Sequence, residues 1–124
     1  MERDRIRGTL EQARGVVRRG WTQGADARDR YGASTWAESA SATRWCMRGA
    51  IMRAYHDLWS LGINGREFTE IQKLFPHHLV GFNDTNGRTQ EEVVAAFDAV
   101  LASLTPTEPE RLFQEAPEQE PVPV

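Results

Sequence analysis

The chain has one cysteine and one lysine in 124 residues, and each scarcity excludes something. A single thiol, Cys46, cannot build an internal disulfide framework or a cysteine-rich zinc site. No stretch approaches the ~20 consecutive apolar residues of a membrane-spanning helix. The opening residues, Met1 to Arg5, lack the apolar core of a secretory leader. No segment repeats. These absences lead to the expectation of a cytoplasmic protein with no membrane partner. Lysine is nearly absent, with fourteen arginines beside Lys73; that bias fits a GC-rich coding sequence as readily as any function.

What is present is enough for one hydrophobic core and too little for two. Charge is unevenly spread. Residues 1–53 carry eleven arginines against six acids, residues 54–104 three cations against seven acids, and residues 105–124 Arg111 against five glutamates. Either the two halves neutralise each other in the fold, the commoner arrangement, or the first half meets an anionic partner.

Periodicity supplies the elements. Ile6, Leu10, Ala13 and Val17 fall at helical spacing, and Gly20 supplies a stop. Residues 21–32 alternate small and charged side chains between Gly20 and Gly32, which predicts an ordered loop with one short strand or hairpin arm. Residues 33–42 are a small, polar connection leading to a helix cap at Ser41 or Thr43. The run from Trp45 to Trp59 then reads as the central buried helix, ending near Ser60 to Gly62. Its apolar stripe is Met47, Ala50 or Ile51, Ala54, Leu58 and Leu61. Gly49, Ala50 and Ala54 are small enough to admit another backbone. Asn64 with Glu67 makes a capping box for a third helix with Phe68, Ile71, Leu74 and Phe75 inside, closed by Pro76. His77 to Phe82 is expected to be extended, and Asn83 to Arg88 to be a turn. Thr89 with Glu92 is a second capping box, followed by Val93, Phe97, Val100, Leu101 and Leu104. From Thr105 five prolines and five glutamates read as a disordered acidic tail. The expectation is a mainly α, compact four-helix domain over residues 1–104 with a short extended or hairpin element, and a tail over residues 105–124.

Three segments occur in order: Gly20-Trp21-Thr22-Gln23-Gly24-Ala25-x-Ala27-Arg28-Asp29, Trp45-Cys46-x-x-Gly49-Ala50, and Asn83-Asp84-x-x-x-Arg88-Thr89-x-x-Glu92-Val93. Together they resemble a family of small, uncharacterised bacterial and phage proteins, a domain of unknown function. The resemblance covers about residues 10 to 104, and the chain departs from it with Phe82 in place of a tryptophan. It implies a phage or mobile-element setting and carries no mechanism.

Three chemistries compete for the polar residues. A cysteine hydrolase or transferase would use Cys46 at a helix N-terminus, Gln23 as an oxyanion donor, His77 or His78 as base and Asn83 or Asp84 to orient it. His56 is excluded as that base, because ten residues along one helix separate it from Cys46 by about 15 Å. The competing reading has Cys46 packed as a small hydrophobe, the commoner fate of a free cysteine. Metal binding by His77, His78 and Asp84, with His56 as a fourth candidate, is disfavoured, since adjacent histidines on an extended segment face opposite ways, so no metal and no cofactor is expected. Nucleic-acid binding would use the arginines of the first helix, Arg14 and Arg18 among them, but they surround the helix instead of lining one face.

Arg28, Asp29, Asn83, Asp84 and Arg88 recur in the motif segments and suggest a polar lock between the first loop and the last, with Asn83 and Asp84 on backbone amides and Arg88 on an acid. Trp36, in a polar loop, suits an exposed anchor. The preferred expectation is a non-enzymatic interaction module whose partner is another protein, host or self.

Overall fold

The computed structural model describes residues 1–104; the tail expected over residues 105–124 lies outside the described residues. Helix α1 (Arg3–Arg19) buries Thr9, Leu10, Ala13, Val16 and Val17 on one face. Ile6, one step earlier in the same period, is only half-buried. Arg18 and Arg19 lie in the last turn, where a cation suits the helix dipole, and Gln90 Nε2 donates to the Val17 carbonyl at 2.7 Å. The buried stripe packs against two helices, α2 (Met47–Trp59) and α5 (Gln90–Ser103).

Between α1 and α2 lie three two-residue strands, β1 (Ala27–Arg28), β2 (Ser34–Thr35) and β3 (Arg44–Trp45), ordered β2-β1-β3 and antiparallel throughout. Ala27 pairs with both Thr35 and Trp45 and is fully buried. The single arm expected in residues 21–32 is therefore half of a hairpin whose return strand lies in the segment read as a connection. The polar composition of Ser34 and Thr35 concealed it, because β2 is an edge strand whose side chains meet solvent.

Trp45 belongs to β3, and α2 starts two residues later than its apolar run suggests. The cap is Cys46, not Ser41 or Thr43: its Sγ accepts a hydrogen bond from Gly49 N at 3.3 Å. Pairing of β3 with β1 dictates this, since Cys46 N donates to Asp26 O at 3.1 Å and leaves the helix no earlier start. Gly49 lies against the same Asp26 carbonyl so closely that a Cβ would overlap it. Ser60, in the left-handed region at φ 57°, ends the helix. Tyr55 takes the buried position beyond Ile51, while Leu58 and Leu61, expected inside, are 41% and 54% exposed. Arg5 reaches from α1 over the rings of Tyr55 and Trp59, and this contact closes the interface before Leu61.

Five helices are present among the described residues where four were expected. Asn64 and Glu67 form the capping box of α3 (Gly65–Gln72), and Thr89 and Glu92 form that of α5. The addition is α4 (Leu79–Asn83), in the segment expected to be extended. His78 caps it through Nδ1, which accepts from Gly81 N at 3.3 Å, and Leu79 anchors it in the core. α3 stops at Gln72, so Leu74 and Phe75, expected within it, follow it in a turn, where Phe75 meets Phe97 of α5 edge to face at 5.6 Å in the core.

Candidate functional site

Asn83, the last residue of α4, is a fully buried polar residue with a complete set of partners. Its Oδ1 accepts from Trp21 Nε1 at 2.7 Å and from Met47 N at 3.1 Å. Its Nδ2 donates to Thr22 O at 3.0 Å and to Asp84 Oδ1 at 2.9 Å. An amide side chain has two donors and two acceptor sites, and all four are filled. One side chain thus ties the loop after α1, the first turn of α2 and the end of α4.

Neighbouring groups extend this junction. Gln23 Nε2 donates to the carbonyls of Asn83 and Thr85 at 2.9 and 3.1 Å, which occupies both of its N–H donors. Asp84 Oδ1 also accepts from Gly24 N at 3.1 Å. Arg28 stays within its own loop, donating to Thr22 Oγ1, Gly32 O and Gln23 O, each at 3.0 Å. Asp29 caps the hairpin turn instead of joining the junction, accepting from Tyr31 N and Ala33 N. Arg88 donates to Phe82 O at 2.9 Å, lies 3.7 Å from the Phe82 ring and approaches Glu92 at 3.6 Å. Of the five residues grouped in the sequence, Asn83 and Asp84 form the junction, Arg28 braces its Thr22 and Gln23, and Asp29 and Arg88 make separate local contacts.

Cys46 lies beside it, only 3% exposed. Burial pushes its thiol up from 9.0 to about 11, and the charges of Asp26 and Asp84 act the same way, outweighing the Gly49 and Arg48 amides that favour a thiolate. Among the described residues no hydrogen bond joins Cys46 to a histidine. The His77 ring stacks on Phe82 at 5.0 Å, and His78 is committed to Gly81. No group of three or more His, Cys, Asp or Glu among the described residues could hold a metal ion.

The arginines of α1 are largely engaged. Arg3 and Arg7 donate to the Leu104 carbonyl, and Arg14 pairs with Asp98 at 2.7 Å. Arg18 is exposed beside Glu91 and Asp98 in a shallow surface depression.

The aromatic residues divide sharply. Trp45 is 3% exposed, whereas Trp36 is 80% and Tyr31 78% exposed, both on the β1–β2 hairpin or immediately after it. Tyr31 was not singled out from the sequence. The signal was Asp29-Arg30-Tyr31-Gly32, a turn motif that places its third residue at a hairpin tip, and Gly32 does adopt φ 87°. Arg30 stacks 4.8 Å from the Tyr31 ring.

A family model described as a family of unknown function (DUF6197) matches residues 1–103. The chain belongs to DUF6197. The match runs from before α1 to the last residue of α5, so the Asn83 junction, Cys46 and the hairpin all lie within the DUF6197 region. No curated protein and no solved structure matches the chain.

Proposed function

We propose that the chain is a non-enzymatic protein-interaction module, an accessory protein of the phage or mobile-element type acting in the cytoplasm, that engages another protein through its hairpin. The observation that carries this reading is the exposure of Trp36 and Tyr31 on one small hairpin whose backbone is held on both sides. Aromatic anchors on a rigid support lose little entropy on docking, and such residues dominate binding energy at protein interfaces. Arg28 and Asp29 supply the support through five hydrogen bonds.

Two alternatives have less behind them. A cysteine hydrolase or transferase would require Cys46 to ionise near neutrality and Gln23 to release two carbonyls. A nucleic-acid interface on α1 would require Arg3, Arg7 and Arg14 to leave their present partners.

The test compares the wild-type chain with a Tyr31→Ser/Trp36→Ser double variant as bait. Both side chains are exposed, so stability should change by about 0.5 kcal/mol or less. A protein bound by the wild type and released by the double variant is the expected result. Undiminished binding by the double variant would overturn the reading.

A further inference from the structure

A cleft between α2, α3 and α4 plays no part in the proposed protein interaction. It encloses about 330 Å³, at the lower end of the ~300–1,000 Å³ typical of small-molecule sites. Met52, Ile63, Phe68 and Leu79 supply apolar walls, and Arg48 and His78 join them. Asn64 and Gln72 also line it, each with one end of its amide committed: Asn64 Oδ1 accepts from Glu67 N, and Gln72 Nε2 donates to His77 O. None of the lining residues is acidic, in a chain of formal net charge −3. The permanent charge in the walls has one sign, and Arg48 carries it.

Arg48 is poorly neutralised. Its nearest carboxylate, Asp26, is 3.9 Å away, and the Arg48 side chain is 49% exposed. The guanidinium lies 6.0 Å from the Phe68 ring, so the charge sits next to the apolar walls. An arginine in this state keeps its N–H fork available for a two-oxygen anion. His78 adds a second donor. Because its Nδ1 accepts from Gly81 N, the neutral ring carries its proton on Nε2.

We propose that this cleft binds a small monocarboxylic acid with an apolar body. The body lies against Met52, Ile63, Phe68 and Leu79, and the carboxylate is held by Arg48 with His78 as the auxiliary donor. One permanent cation beside four apolar side chains matches a single negative charge on a hydrophobic frame better than a hydrophilic dianion. The site is separate from the hairpin, so either proposal can fail without the other.

The experiment titrates phenylacetate into the full chain while following the methyl resonances of Met52, Ile63 and Leu79 by NMR. It is repeated with phenylethanol, a neutral molecule of similar shape. The expected result is saturable shifts at those methyls, with the acid binding about tenfold or more tightly than the alcohol, as a charge-assisted hydrogen bond implies. In Arg48→Gln that difference collapses. The contrast between acid and alcohol on the wild-type chain decides the matter even if the variant fails to fold. Shifts that do not saturate, shifts confined to other parts of the molecule, or equal affinity for acid and alcohol would each overturn the proposal.

Discussion

Asn83 and Cys46 are adjacent in space and opposite in character. Asn83 has every polar atom satisfied, and its replacement by alanine removes the acceptor of the buried Met47 N and of the partly buried Trp21 Nε1. Leaving buried groups unpaired costs about 1–3 kcal/mol each, so Asn83→Ala should lower stability by roughly 3 kcal/mol in a denaturant melt. Cys46 has a thiol raised from 9.0 to about 11 in the fold. A group whose folded pKa is raised contributes stability that is complete below the unfolded value and is lost as pH climbs through the folded one. Stability should therefore fall between about pH 9 and pH 11, and Cys46→Ala should flatten that part of the profile. The alanine variant should also be less stable at neutral pH by about 1 kcal/mol, the usual cost of a lost N-cap. The presence of both residues was plain in the sequence. Which carbonyls and amides Asn83 would meet was not, since its partners lie some 36 to 62 residues away along the chain.

The helices are the legible elements, because capping boxes and apolar periods are local signals. Thr89 with Glu92 and Asn64 with Glu67 announce α5 and α3 directly. The failures fall where a tertiary contact decides the boundary. The strand pairing that ends at Trp45 moves the start of α2, and a histidine cap makes helical the residues 79–82 expected to be extended. Gly49 was readable as a point of close approach, though not what approaches. It makes a sharp element-scale prediction. Gly49→Ala removes a helix-disfavouring glycine yet should destabilise the protein by more than about 1 kcal/mol, because a Cβ would collide with the Asp26 carbonyl. Gly15→Ala, in α1 with nothing near its Cβ position, should stabilise by about 0.5–1 kcal/mol. Thermal melts of the two variants should move in opposite directions.

For the whole molecule, charge asymmetry in the sequence resolves into local pairings. The excess arginines of the first half meet the Leu104 carbonyl, Asp98 and the rings of Tyr55, Trp59 and Trp45. Composition could not reveal this, because it depends on α1 lying between α2 and α5. What then stands out on the surface of the described residues is the aromatic hairpin and the cleft where Arg48 keeps a weakly paired charge beside apolar walls. The interaction reading and the cysteine-enzyme reading part most cleanly at one atom, Cys46 Sγ, and the chain has no second thiol to confuse its chemistry. The decisive measurement is the rate of Cys46 alkylation in the native protein as a function of pH. A buried, protonated cap implies slow labelling at neutral pH that becomes fast only on denaturation. Rapid native labelling with a midpoint below the ~8.5 of a free thiol would contradict that burial and return Cys46 to the role of nucleophile.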